Sequence, residues 1–357
     1  VEIFAMTQRH PITPVAPPKF IENIFTDDEN KRLFNVLRTG GPWRTIAGIY
    51  FKSVEELLSV STPQGVDPST LQMSDFVTPA FRGFFGNNGM AYEDEVHDIF
   101  YSKKLLDYVK AMHSCKYGAP FLFQFNILGP SHGLEHGHFD GGSWRGMDPT
   151  NTPAWLMSVM MKSGLFDAWA VKAGQVIAYY YQLDIGGGFT YWPDGPDQAP
   201  KRFAPPFWNN GIVTHNQRMF HRGEACGPRE KRDLAQGMTL SSLLHTEGDD
   251  WVVTTDSVET VRYPTRDMRI LLHYDAHVFT DMADVKRYYD HTDDLTRDQV
   301  FDMLIADLKK RGVAFEMPSN PLTDPKFIGV LTSTYTMRPT SYPSDAQPDI
   351  PGRVRAA

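Results

Sequence analysis

The feature that most restricts the fold is a series of short apolar and aromatic segments between about residues 120 and 280. Gly, Pro, Asn and Asp clusters separate them, and none alternates regularly with a crossover helix. Phe121-Leu122-Phe123-Gln124-Phe125-Asn126-Ile127-Leu128, closed by Gly129-Pro130, reads as a buried strand. The segments 154–162, 175–183, 188–192, 211–215, 250–255 and 269–279 read as further strands. Parallel strands need long, usually helical, crossovers, so this texture predicts an antiparallel sandwich or barrel. An aromatic fraction of 13%, with 26 prolines and 28 glycines, agrees with strands and turns and argues against a helical bundle.

Helices are expected as accessories at the two ends. Thr26-Asp27-Asp28-Glu29 has the form of a capping box, and Leu33, Phe34 and Leu37 follow at helical spacing, which predicts a helix over 27–38. Ser53–Ser59 and 91–113 also read as helical, as do Asp281–Tyr289 and Thr296–Arg311, the last ended by Gly312. Residues 1–20 read as a proline-rich extended lead-in, and the tail from Pro318 as a segment rich in proline and polar residues that wraps the surface or is partly disordered. The expected organisation is one domain over 1–357: lead-in and helices over 1–119, a β core over 120–280, and helices and tail over 281–357.

A formal charge of −8, without a lysine or arginine block, offers no footprint for nucleic acid or an anionic membrane. A small-molecule partner is the expectation. Cys115 and Cys226 lack CxxC spacing and read as free thiols in a reducing cytoplasm. No stretch approaches the roughly 18 apolar residues of a membrane span, and no secretory signal opens the chain, so a cytoplasmic location is expected. The start at Val1, close to Met6, suggests that upstream residues were removed.

Chemistry concentrates in Gly129–Gly142. His138 and Asp140, two residues apart on an extended segment, project to one side and can reach one metal ion. A distant second histidine would complete two nitrogens and one carboxylate on one face of iron(II). The pattern recurs in His273-Tyr274-Asp275 and His291-Thr292-Asp293, but only His138 has well-placed histidines downstream: His215, His221 and His245. Met219-Phe220-His221-Arg222-Gly223 follows a strand and a polar turn, which favours His221, with His215 next.

These residues resemble the iron(II)/2-oxoglutarate oxygenase superfamily over about 120–280. The matching pieces are His138-Phe139-Asp140, Gly187-Gly188-Phe189-Thr190-Tyr191-Trp192-Pro193, Met219–Gly223 and Arg269-Ile270-Leu271-Leu272-His273-Tyr274. The resemblance implies a mainly β fold with accessory helices: a double-stranded β-helix (jelly-roll or cupin-like) core flanked by N- and C-terminal helices. It implies Fe(II), 2-oxoglutarate and O2 as cofactor and co-substrates, with succinate and CO2 as by-products of oxidising a small organic molecule. It makes His138, Asp140 and His221 both the metal ligands and the catalytic set. An arginine would pair with the far carboxylate of 2-oxoglutarate, a task suited to a planar, bidentate guanidinium. Arg269 opens an apolar strand but lies further from His221 than is usual in the family. Arg229 and Arg232 lie nearer, in a charged turn, and an inserted hairpin around Asp250-Trp251-Val252-Val253 would account for the extra length. Halogenases on this scaffold have a small residue at the acid position, so Asp140 favours hydroxylation, desaturation or cyclisation.

Asn126 and Tyr179 are further candidates for the co-substrate, and Trp144, Arg145, Tyr181 and Trp251 for the substrate. Each has a plainer reading as packing or a structural ion pair. His132 and His136 read as loop histidines. The rival classes are a cupin-like isomerase or dioxygenase that uses no 2-oxoglutarate and a non-catalytic jelly-roll binding module. A zinc hydrolase is disfavoured because HExxH is absent.

Overall fold

The computed structural model describes residues 12–51, 77–132, 137–232 and 235–347. Its strands are β1 (Lys19–Ile21), β2 (Trp43–Thr45), β3 (Ala80–Asn87), β4 (Met90–Ala91), β5 (Tyr117–Leu128), β6 (Ala173–Tyr181), β7 (Phe189–Trp192), β8 (Lys201–Phe203), β9 (Phe207–Thr214), β10 (Phe220–Gly223), β11 (Leu243–Glu247), β12 (Asp250–Thr255), β13 (Val258–Pro264) and β14 (Arg269–Phe279). The large sheet runs β1-β9-β6-β14-β5-β3-β2-β11-β12-β13, with β4 paired to β3, and the small sheet runs β10-β7-β8. Every strand pair is antiparallel. His138 bridges His221 and so extends the small sheet beyond β10.

From β5 onward the chain alternates between the sheets. It passes from β5 to the His138 segment, back to β6, across to β7 and β8, back to β9, across to β10 and finally back to β14. Winding two sheets in this order makes a double-stranded β-helix. The insertion between β10 and β14 is the β11–β13 meander, which continues the large sheet beyond β2. It contains the hairpin that explains the late position of Arg269.

Side chains alternate across the large sheet. The outer set includes Phe123, Phe125 and Ile127 of β5 and Ile270, Leu272, Tyr274, Ala276 and Val278 of β14. These pack with Leu33, Val36 and Leu37 of the helix Asp27–Thr39 and Leu105 and Val109 of the helix Lys103–His113. Tyr180 belongs to this outer face, edge-on to Phe34, while Tyr179 and Tyr181 face inward with Ile177, Phe189, Tyr191 and Phe207. The inward row of β14 is Arg269, Leu271, His273, Asp275 and His277. A strand with an apolar outer set and a mainly polar inner set therefore lines the barrel interior.

The helix Asp27–Thr39 starts with the expected capping box: the Thr26 hydroxyl accepts from the Glu29 amide and the Glu29 carboxylate from the Thr26 amide. Thr296 and Gln299 do the same for the helix Arg297–Lys310. The 91–113 region divides into a short 3-10 turn, a one-turn helix and the helix Lys103–His113, which Ser102 caps. The expected Ser53–Ser59 helix lies outside the described residues.

Two expectations are corrected. Residues 154–162 form a helix, Ala154–Ser163, where a strand was predicted. Leu156, Met157, Val159, Met160 and Met161 are buried around its circumference in a second core with the helices Arg297–Lys310 and Pro325–Thr334. A segment apolar on every side loses the helical period that would identify it. The tail contains the helix Pro325–Thr334, capped by Asp324 and anchored by Phe327 and Leu331. Beyond it the chain wraps the small sheet, where Arg222 donates to the Ala346 carbonyl and stacks on Tyr342. Among the described residues no helix is long and apolar enough to cross a membrane.

His277 gives the fold a pH dependence. Burial pushes its imidazole from 6.5 down to about 4, against an opposing pull from Asp148. The unfolded chain takes up this proton near pH 6.5 and the folded chain only near 4. Stability therefore declines as pH falls below 6.5 and levels off below about 4. At about 1.36 kcal/mol per pKa unit the loss is about 3 kcal/mol. Urea unfolding at pH 7.5 and 4.5 is expected to show that decline in the wild type, and a decline smaller by about this amount in His277→Phe.

Candidate metal centre

Beyond β5 the chain is tied to the strand leading out of β10. Ser131 and Cys226 exchange backbone hydrogen bonds of 2.9 and 2.8 Å, and His138 and His221 exchange bonds of 2.8 and 3.0 Å. A Cβ at Gly137, where φ is +122°, would lie 2.5 Å from the Phe220 ring, so glycine is required for this approach. The Asp140 amide donates to the Asn216 carbonyl at 3.1 Å. His138 and Asp140 are thus set on an extended segment, beside a histidine supplied by the neighbouring strand.

Asp140 Oδ1 lies 3.3 Å from His138 Nε2 and 3.4 Å from His221 Nε2. One donor atom from each of the three residues falls within 4.8 Å of the others. His221 Nδ1 is 2.9 Å from the Met219 carbonyl. A carbonyl only accepts, so Nδ1 carries a proton and Nε2 is the nitrogen left to face the centre and take a metal. Gln175 Nε2 donates to Asp140 Oδ2 at 2.8 Å, while Gln175 Oε1 accepts from the Asn216 amide at 3.0 Å. One side chain therefore fixes both the carboxylate and the turn that leads to His221. Burial opposes ionisation of Asp140, but the His221 and His138 imidazoles outweigh it and hold the carboxyl well below the usual range. Two imidazole nitrogens and one ionised carboxylate, each aligned by a further hydrogen bond or backbone contact, make a donor set that fits iron(II).

The other histidines are placed elsewhere. His215 is buried edge-on to His113, accepts from the Val15 amide and is held well below 6.5 by burial, His113 and Arg218. His245 faces Glu247 on β11, and His291 pairs with Asp294 at the surface. His273 and Asp275 lie 3.4 Å apart on the inner face of β14, without a third ligand among the described residues. His132 is half-buried, and His136 lies outside the described residues.

Arg269, 2% exposed, opens the inward row of β14. Its Nε donates to the Gly187 carbonyl at 2.5 Å and its guanidinium stands 5.2 Å from the centre of the Tyr179 ring. It has no acidic partner among the described residues. Burial, with a smaller contribution from Asp140, raises the Tyr179 phenol against Arg269, so the hydroxyl keeps its proton. Arg229 is exposed on a 3-10 turn, and Arg232, just after it, is half-buried and donates to the Gly227 carbonyl at 3.0 Å. Neither belongs to the inward row.

The other expected contacts divide. Asn126 faces inward and accepts from Arg82 Nε at 2.8 Å. Tyr181 is a structural clasp, donating to the Ile185 carbonyl and accepting from the Gly227 amide. Trp251 is corrected to a core residue, packed in the outer cluster beneath Arg38. Trp144 belongs to the second core, and Arg145 is paired with Asp293 at 2.6 Å. Both line a cavity of about 320 Å3, together with Phe121, His277, Tyr288 and Asp294, that includes none of the three ligands. Sequence reasoning missed Gln175, Gln124 and Arg82; their only signal is a polar residue within an otherwise apolar strand.

No family model matches the chain, and no curated protein matches it. Solved structures similar to it include an oxidoreductase of the 2OG-Fe(II) oxygenase family from Burkholderia pseudomallei, at 12% identity and TM-score 0.32, covering 73% of this chain and 94% of that one. A prolyl hydroxylase from Trichoplax adhaerens in complex with a hypoxia inducible factor peptide fragment is similar at 11% identity and TM-score 0.34, with coverages of 75% and 86%. HygX from Streptomyces hygroscopicus, with nickel and 2-oxoglutarate bound, is similar at 11% identity and TM-score 0.33, with coverages of 74% and 84%. Likeness this distant does not decide a function.

Proposed function

We propose that this chain is a non-haem iron(II) oxygenase that uses 2-oxoglutarate and O2 to oxidise a small organic substrate. The observation that carries this reading is the pairing, inside one barrel, of a two-histidine, one-carboxylate set with Arg269, a buried cation with no acidic partner among the described residues. A buried guanidinium without a counter-charge is costly, and a ligand carboxylate relieves that cost.

His138, Asp140 and His221 would hold the metal. With 2-oxoglutarate and O2, iron(II) supplies oxidative decarboxylation to succinate and CO2 coupled to oxidation of a C–H bond. The remaining chemistry belongs to the protein. Arg269 offers two N–H groups to the far carboxylate of 2-oxoglutarate, and the Tyr179 hydroxyl, still protonated, is available as a donor beside it. Met219 keeps His221 in the tautomer that leaves Nε2 free, and Gln175 prevents Asp140 from turning away. Asp140 keeps a carboxylate in the ligand set, which favours hydroxylation, desaturation or cyclisation.

The test is an anaerobic titration. Iron(II) followed by 2-oxoglutarate is expected to produce a weak visible charge-transfer band that neither produces alone. Iron uptake without the band would move the chain to the metal proteins that use no 2-oxoglutarate, and no iron uptake would leave a non-catalytic binding module.

A further inference from the structure

The inner face of the large sheet carries a second arginine with no acidic partner among the described residues. Arg82 of β3 pairs in register with Asn126 of β5, which pairs with Leu271 of β14. Arg82 Nε donates to Asn126 Oδ1 at 2.8 Å, and Nη1 donates to the Tyr50 hydroxyl at 2.5 Å. No acidic side chain pairs with Arg82 among the described residues. Next to it in register are Phe84, Gln124 and His273. Gln124 is 6% and His273 8% exposed, so both residues are more than nine-tenths buried. The Gln124 amide lies 3.4 Å from His273 Nδ1, and His273 Nε2 has no hydrogen-bond partner among the described residues, although Asp275 lies 3.4 Å away.

The two arginines serve different places. Strand spacing of about 4.8 Å and a rise of about 3.4 Å per residue put the Cα atoms of Arg82 and Arg269 roughly 12 Å apart. Arg269 is held toward β6 and β7 by Tyr179 and Gly187, whereas Arg82 is held on the opposite side of β14 by Asn126 and Tyr50. If Arg269 takes the co-substrate, Arg82 remains as a half-buried cation at the mouth of the same interior, its outer end on exposed Tyr50, bordered by amide and imidazole groups and by half-buried Phe84 and Leu122.

We propose that Arg82, with Asn126, Gln124 and His273, forms the substrate-recognition wall, and that the substrate is a small organic acid with an apolar body whose carboxylate pairs with Arg82. This inference rests on the function proposed above. It assigns Arg82 to specificity and gives it no part in the oxidation itself.

The test uses full-length protein loaded with manganese(II) and saturating 2-oxoglutarate, so that Arg269 is occupied, with zinc-loaded protein as the diamagnetic control. The probes are 3-phenylpropionate and its primary amide, read by manganese-induced broadening of their proton resonances. The acid is expected to bind about tenfold or more tightly than the amide, because only the acid forms the charge-assisted pair. Arg82→Gln, which can still donate to Asn126, is expected to retain manganese and 2-oxoglutarate but lose the preference for the acid. The wild-type comparison of acid with amide needs no variant to fold. Failure to take up manganese and 2-oxoglutarate overturns the proposed function and this inference together. Uptake of both with acid and amide broadened alike, with neither broadened, or with the acid still preferred by Arg82→Gln, overturns this inference alone.

Discussion

Alanine at His221 is expected to weaken iron(II) binding by at least about a hundredfold and to take 2-oxoglutarate turnover below detection. Losing only an outer hydrogen-bond partner of a metal ligand costs about 10- to 100-fold, and this change removes the ligand itself. Two protein donors would remain, one of them a carboxylate still held by Gln175. The backbone exchange between positions 138 and 221 does not depend on the side chain, so the far-ultraviolet circular dichroism of the variant should match the wild type. Equilibrium dialysis with iron(II) under argon measures the affinity. His215→Ala is the matched control, since His215 packs on His113 away from the centre; it should leave iron affinity unchanged. Unaltered iron binding in His221→Ala would remove His221 from the ligand set.

Methionine at Arg269 tests the co-substrate. Truncating one partner of a buried, hydrogen-bonded charge pair costs about 2–5 kcal/mol, or roughly 30- to several-thousand-fold in affinity. The 2-oxoglutarate concentration that half-saturates the charge-transfer band should rise by that factor while iron affinity stays at the wild-type value. Arg269→Lys should fall between the two, because an ammonium keeps the charge but loses the planar fork. A band that saturates at the wild-type concentration in Arg269→Met would return the co-substrate role to Arg229 or Arg232.

The local parts of this protein were legible in its sequence. The Thr26 and Thr296 helix starts depend on residues three apart, and the strand at 269–279 on apolar residues at every second position, so each could be read within its own segment. His138 and Asp140 were legible because the two-residue period of a strand puts them on one side. Arg269 could be favoured because it opens an apolar strand, even though the β11–β13 insertion hides its kinship with His221. What was not legible depends on register between distant strands. Gln175 looks like a stray polar residue in β6 until it is known to face Asp140 and Asn216. Arg82 lies on a strand that went unread, and its relation to His273 exists only through β5. Residues 154–163 failed for a different reason, because burial on all sides erases the amphipathic period.

The reciprocal backbone hydrogen bonds between His138 and His221 have a consequence for how the protein acquires metal. They register two of the three ligands through the main chain, and Gln175 aligns the third, so most of the conformational entropy of assembling the centre is lost when the chain folds and not when metal arrives. Loading and removal then become exchange reactions of a folded protein. A chelator should strip the centre and leave a folded protein whose far-ultraviolet circular dichroism matches that of the metal-bound form, unlike domains whose fold waits on its ion.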